Sequence, residues 1–310
     1  MKRTISKHQF HLLVTVCTAL IALPALRADL RCPGNVASLS FRLVNRYQII
    51  VDVSINHSGP YQFLLDTGTQ ISMVDKTLAD ELHLVTGGAA LVAGAGFQSP
   101  ANYTRIAEIE AGSHAIRNQD VLVYDLRRPL AAQLEVRGIL GEDFLQHFDM
   151  LIDNANRLLC LDDTVDMRLH IKGPHIPLLT SPEIAGSASL PNSLIISVRL
   201  SDGMRPVRLK LDSGTNSAFL YNASQFLAVG LFKGASLHGS GADGTVRAFS
   251  TLPPQNVRIG SLELTGVKFL TLTDTQKNSA TSDFDGLLTV GLFRRIFICH
   301  TDHFAIIEAP

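Results

Sequence analysis

Two short motifs, one in each half of the chain, constrain its fold more than any other feature. The first is Leu64-Leu65-Asp66-Thr67-Gly68-Thr69 and the second is Lys210-Leu211-Asp212-Ser213-Gly214-Thr215. Each ends an alternating segment: Tyr61, Phe63 and Leu65 precede the first Asp, and Val207, Leu209 and Leu211 precede the second. Period-two alternation marks a strand with one buried face. Each Asp therefore stands where a strand gives way to a tight, glycine-containing loop. One such carboxylate is an ordinary turn residue, because Asp side chains bond local N–H groups. Two in matched contexts predict a carboxylate pair.

The repeat extends past the motifs. Asp66 and Asp212 are 146 positions apart, and Gly138-Ile139-Leu140-Gly141 recurs as Gly286-Leu287-Leu288-Thr289 at a spacing of 148. From these glycines the halves align without a gap. Each runs through Phe144 and Phe148, or Leu292, Phe293 and Ile296, into a polar turn, Asp153–Asn156 or around Thr301-Asp302, and ends in an apolar strand. A unit of about 147 residues is too long for a solenoid repeat and predicts two domains of one fold.

Asp-Thr/Ser-Gly followed by apolar-apolar-Gly resembles the aspartic protease superfamily. The two-lobed arrangement is similar to the pepsin type, and each short lobe to a retroviral-type subunit. The resemblance covers most of residues 45–310, with its specific part in the motifs. It implies an all-β, two-lobed fold, each lobe a retropepsin-like barrel, with the active site between the lobes. It implies Asp66 and Asp212 as the catalytic pair. Thr67 and Ser213 would cross-brace the loops through their hydroxyls, and Gly68 and Gly214 would permit close backbone approach. Where the pattern expects a third glycine the second lobe has Thr289, which predicts a distorted support there. A covering hairpin is expected at Ala93–Phe97 up to Tyr103 and at Gly239–Gly244.

Such a pair suits amide hydrolysis. Two adjacent carboxylates cannot both ionise comfortably, so they share one proton. The ionised member takes a proton from water, and the protonated one polarises the carbonyl and then protonates the leaving nitrogen. Neither metal nor cofactor is required. The expected partner is a peptide or protein substrate, handled by a monomer that carries both Asp residues. The alternative is a catalytically inactive peptide-binding protein on the same scaffold, or a structural cell-envelope module.

Composition narrows the classes. With 310 residues, 46% of them hydrophobic, the chain can bury two cores. A formal charge of −1 argues against a nucleic-acid partner, which wants a basic face. At the N-terminus Lys2, Arg3 and Lys7 precede an apolar stretch over residues 12–26 interrupted by Pro24, with Ala28 as a cleavage point. That predicts a signal peptide over residues 1–28, too short for a transmembrane span, and an exported, periplasmic or secreted protein without a stable span after cleavage. The expected order is then a lobe at 29–163, a connection at 164–188 rich in Pro, Ser and Gly, and a lobe at 189–310.

Most of the chain reads as strand. Short helices are expected at Leu78–Leu82, Ala223–Leu227, Gly138–His147 and Gly286–Phe293. Cys32, Cys160 and Cys299 leave a disulfide open. Cys160 and Cys299 stand in apolar strands, which favours packing as small hydrophobes. Three further patterns are decoys. Gly239-Ser240-Gly241-Ala242-Asp243-Gly244 matches a dinucleotide fingerprint but runs into a β-type segment. Cys299, His300, Asp302 and His303 look like metal ligands but fall at a hairpin turn. The sequons at Asn56, Asn102 and Asn222 matter only in a eukaryotic secretory pathway.

Overall fold

Three sheets organise the protein. A computed structural model describes residues 31–94, 97–126, 135–179, 190–227, 236–240, 246–272 and 283–310. The signal segment 1–28 lies outside the described residues. An eight-stranded sheet takes all its strands from the first half, and a nine-stranded sheet takes its strands from the second. A six-stranded sheet draws on both. The fold is all-β and two-lobed, as the duplication implies. Among the described residues no helix is long and apolar enough to cross a membrane.

The two lobes are wired alike around their motifs. The motif strand Ser58–Leu65 pairs in parallel with Gly138–Leu140, with Leu64 opposite Ile139 and Leu65 opposite Leu140. The strand after the loop, Met73–Asp75, pairs antiparallel with the other edge of that same short strand. In the second lobe Val207–Asp212 pairs in parallel with Gly286–Thr289, which also receives Ala218–Leu220 on its far edge. Gly138–Leu140 is buried along its whole length and Gly286–Thr289 at all but Leu287, and a strand covered on both faces reads as an unbroken apolar run.

The third sheet joins the lobes. Its central neighbours are Asp149–Asp153 and Arg295–Cys299, with Leu151 opposite Phe297 and Ile152 opposite Ile296. Each strand then pairs outward with its own hairpin partner, Leu158–Asp162 or Phe304–Glu308. Matched strands meet at the centre, so the repeat is expressed as a local twofold relation. Arg31–Pro310 forms one compact unit. One cluster of buried residues runs through both lobes, from Ile49, Phe63 and Phe144 to Leu209, Phe269 and Phe293.

The short elements meet these expectations in part. Leu78–Leu82 is a helix, Lys76–Glu81, started by the Asp75 carboxylate accepting from Thr77 N at 2.9 Å. Ala223–Leu227 shortens to a 3-10 turn, Ala223–Gln225. The stretches from Gly138 and Gly286 begin as strands; only Glu142–Leu145 and the 3-10 turn Val290–Leu292 follow the expected helices. Pairing on both edges of the short strands outweighs local helical preference. The connection at 164–188 carries a helix, Asp166–His170, and a strand, Ile176–Pro177, that joins the interlobe sheet opposite Ala305 and Phe304; residues 180–189 lie outside the described set. Cys160 does not pack as a free thiol: it forms a disulfide with Cys32, with the Cα atoms 5.7 Å apart. Among the described residues Cys299 alone is free, and it is buried.

Candidate active site

The motif loops meet where the lobes meet. Thr67 and Ser213 are fully buried and exchange four hydrogen bonds with the opposite loop and its strand. Thr67 N donates to Ser213 Oγ at 3.0 Å, and Ser213 N donates to Thr67 Oγ1 at 3.1 Å. Each hydroxyl then donates onward, Thr67 Oγ1 to Leu211 O at 3.0 Å and Ser213 Oγ to Leu65 O at 2.7 Å. A hydroxyl both accepts and donates, so one of each kind closes the brace without an orphaned group.

This brace brings the carboxylates together. A Cβ on Gly68 would lie 2.5 Å from Asp212 Oδ2, and one on Gly214 would collide with the Asp66 carboxylate. Each motif glycine is therefore a close-approach residue facing the other lobe's Asp. Asp66 accepts from Gly68 N at 2.7 Å on Oδ1 and from the Thr69 hydroxyl at 2.7 Å on Oδ2. Asp212 accepts on Oδ1 from Gly214 N at 2.8 Å and Thr215 N at 2.9 Å. The Thr215 hydroxyl turns away and donates to Ser217 O at 3.1 Å. Burial and then the charge of Asp66 push the Asp212 carboxyl up to about 7, against the opposing pull of Lys210 and the two amide bonds.

Residues 51–144 match the family model described as aspartyl protease. That segment is similar to the aspartyl protease family. The match ends within the helix Glu142–Leu145 that follows Gly138-Ile139-Leu140-Gly141, so it contains the first motif and its supporting strand. A retropepsin-like aspartic protease from Rickettsia conorii, known from its crystal structure, is 17% identical; 40% of this chain and 87% of that chain are covered, with a TM-score of 0.29. A likeness that slight carries no inference. No curated protein matches the chain. The family supports protease function in general, and the second motif brings a matching Asp to the first.

The supporting elements differ between lobes. Gly141 has no room for a side chain, since a Cβ there would lie 2.8 Å from Thr69 O. The Ser72 hydroxyl braces it, accepting from Gly141 N at 2.9 Å and donating to Asp143 Oδ1 at 2.5 Å. Burial holds the Asp143 carboxyl above its ordinary range. In the second lobe Thr289 does not distort the support, contrary to expectation. Its hydroxyl donates to Thr215 O at 2.9 Å, so the bond that Thr69 O receives from Glu142 N at 2.9 Å is replaced by one from a side chain.

The sequence reading gave no supporting role to four buried polar residues around the loops. Lys210 Nζ donates to Gly68 O at 2.6 Å, and Gln48 Nε2 donates to Gly214 O at 2.8 Å. Glu142 and His300 pair at 3.1 Å, with His300 Nδ1 against Phe148 O at 2.6 Å. Burial keeps the Glu142 carboxyl above its ordinary range. Burial opposes charge on His300, but its bonds to Glu142 and Phe148 outweigh this and raise it. Lys210 carried a signal, as the one charge between Leu209 and Leu211. Glu142 and His300 carried none, being 158 positions apart.

The remaining expectations fall elsewhere. The first hairpin exists, with Gly94 opposite Phe97 and Tyr103 partway along an arm opposite Gly87 and Leu122; residues 95 and 96 lie outside the described set. In the second, Ser240 faces Val246, residues 241–245 are outside the described set, and a strand follows rather than the helix a dinucleotide site needs. The Cys299 cluster is dispersed among other partners. The thiol, pushed up to about 11 by burial, donates to Asp149 at 3.5 Å, while Asp302 pairs with Arg168. A pocket lined by Lys76, Asp80, Asn102, Tyr124 and Asp125 lies against the first hairpin and contains neither motif Asp.

Proposed function

We propose that the chain is an aspartic endopeptidase that hydrolyses peptide bonds with a water activated between Asp66 and Asp212. The observation that carries this reading is the abutment of each carboxylate on the other lobe's motif glycine, with Asp212 pushed up to about 7. A carboxyl raised that far holds its proton in mildly acidic solution. Asp66, with donors on both oxygens, is arranged to take the proton of the attacking water. Asp212 donates its proton to the carbonyl oxygen of the scissile bond as the water oxygen bonds to the carbon, giving a gem-diol; as the C–N bond breaks, the proton taken by Asp66 passes to the departing nitrogen and Asp212 takes back the proton of a diol hydroxyl. The proton count balances, and the pair returns to one shared proton.

The substrate of this reading is an extended peptide or protein segment, and no cofactor enters the chemistry. One chain supplies both carboxylates, so the enzyme works as a monomer with a lobe at 29–163, a connection at 164–188 and a lobe at 189–310. Export to the periplasm or the medium is supported by the basic and apolar N-terminal segment and by the Cys32–Cys160 disulfide, a bond that persists in oxidising compartments. The test is cleavage of fluorescently labelled casein by the wild type, Asp66→Asn, Asp212→Asn and the double variant, with and without a chelator. Each single variant is expected to lose hydrolysis while keeping its circular dichroism spectrum, and the double to be scarcely worse. Substantial cleavage by either single variant would exclude the pair.

A further inference from the structure

The two motif loops are tied across the lobes by a matched pair of side chains that differ by one unit of charge. Gln48 of the first lobe donates to Gly214 O at 2.8 Å, and Lys210 of the second donates to Gly68 O at 2.6 Å. Both side chains are buried, Gln48 at 7% and Lys210 at 6% exposure. The bond alone needs only an amide, as Gln48 demonstrates. Burying an ammonium is costly unless anions surround it.

Such anions face Lys210 from several elements. Asp212 is two residues along its own strand, and the cation lowers that carboxyl. Glu142, on the helix behind the first loop, feels Lys210 and Asp66 with opposite sign. Glu142 Oε2 is held by His300, while Glu142 Oε1 has no hydrogen-bond partner among the described residues. The Phe284 ring lies 5.3 Å from Lys210 Nζ. Neighbouring Asp285 accepts from Arg208 N at 2.8 Å, and the Tyr221 ring packs on Phe284 at 6.0 Å.

We propose that Lys210 is a positioning residue of the carboxylate pair, an ammonium that crosses the lobe interface to fix the first motif loop and to offset the negative charge gathered at Asp66, Asp212 and Glu142. The inference rests on the pair being the site of hydrolysis. Three carboxylates in one buried region repel one another, and the pair works only while it carries one proton and one negative charge. A cation at its edge stabilises that singly charged state. Without it, proton loss from Asp212 becomes harder, and the working state extends to higher pH.

Lys210→Gln separates bond from charge, because glutamine makes this tie in the other lobe. The Asp212 carboxyl would be followed by carbon NMR titration, assigned with Asp212→Asn, alongside the pH profile of casein cleavage. In Lys210→Gln the Asp212 titration and the alkaline limb are expected to move up together by about one to three pH units, the scale for a unit charge roughly 4–10 Å away at an effective dielectric of about 20. Lys210→Arg should titrate like the wild type, and so should Gln48→Leu, which cuts a tie without changing charge. If Lys210→Gln does not fold by circular dichroism, Lys210→Met serves as the neutral variant of similar length. An unshifted Asp212 titration in the neutral variant would overturn the proposal, even if cleavage fell. Wild-type protein that cleaves no casein at any pH would overturn the hydrolytic reading, while the titration would still decide the role of Lys210.

Discussion

Replacing Ser213 by alanine probes the joint on which the site depends. Ser213 is fully buried, and its hydroxyl accepts from Thr67 N at 3.0 Å and donates to Leu65 O at 2.7 Å. Alanine fits the space and leaves both groups without that partner. An orphaned buried donor or acceptor costs about 1–3 kcal/mol, so with one of each Ser213→Ala should lose roughly 2–6 kcal/mol. That is a large part of the 5–15 kcal/mol or so that holds a typical domain folded. Because the braced loops carry Asp66 and Asp212, casein cleavage should also fall, by about a hundredfold for a displacement near 1 Å. The chain has no Trp, so urea unfolding is best followed by far-ultraviolet circular dichroism. Ser217→Ala is the comparator: its hydroxyl makes an exposed bond to Asn216 at 3.2 Å, and its loss should stay within about 0.5 kcal/mol. Thr67→Val cuts the reciprocal bonds, and the double variant should cost less than the sum, since both hydroxyls hold the same two loops. A Ser213→Ala protein no less stable than Ser217→Ala would refute the reasoning.

Three further outcomes are expected. Cleavage should decline as pH rises through about 7, where Asp212 loses its proton. Stability should follow the same sign, because folded Asp212 binds its proton more tightly than an unfolded Asp titrating near about 3.9. Its contribution is full below that value and is lost toward about 7, so Asp212→Asn should flatten the fall in urea midpoint between pH 4 and 7; an unchanged slope would contradict the assignment. Cys32→Ser opens a link between residues 128 apart and should cost about 2–5 kcal/mol, read as a lower midpoint under oxidising conditions, with an unchanged midpoint as the contrary result. Activity per mole should hold across a hundredfold dilution, with a monomer mass by light scattering; a steep loss, with an active dimer, would place the site between chains.

The sequence alone determined the elements that local periodicity controls. Tyr61, Phe63 and Leu65, and again Val207, Leu209 and Leu211, alternate because a strand turns successive side chains to opposite faces. The glycine-bearing loops follow at once, so both Asp residues, the duplication and the two-lobed all-β class were legible. The tertiary structure decided the long-range partnerships of the polar and sulfur groups. Cys32 finds Cys160, Lys210 finds Gly68 O, and Glu142 finds His300, each over more than a hundred residues. It also decided that Thr289 supports its loop, because the hydroxyl meets Thr215 O in a space that Gly141 leaves closed. Strand patterns are written into neighbouring residues, whereas the bond a buried polar group makes depends on which surface the other lobe brings to it.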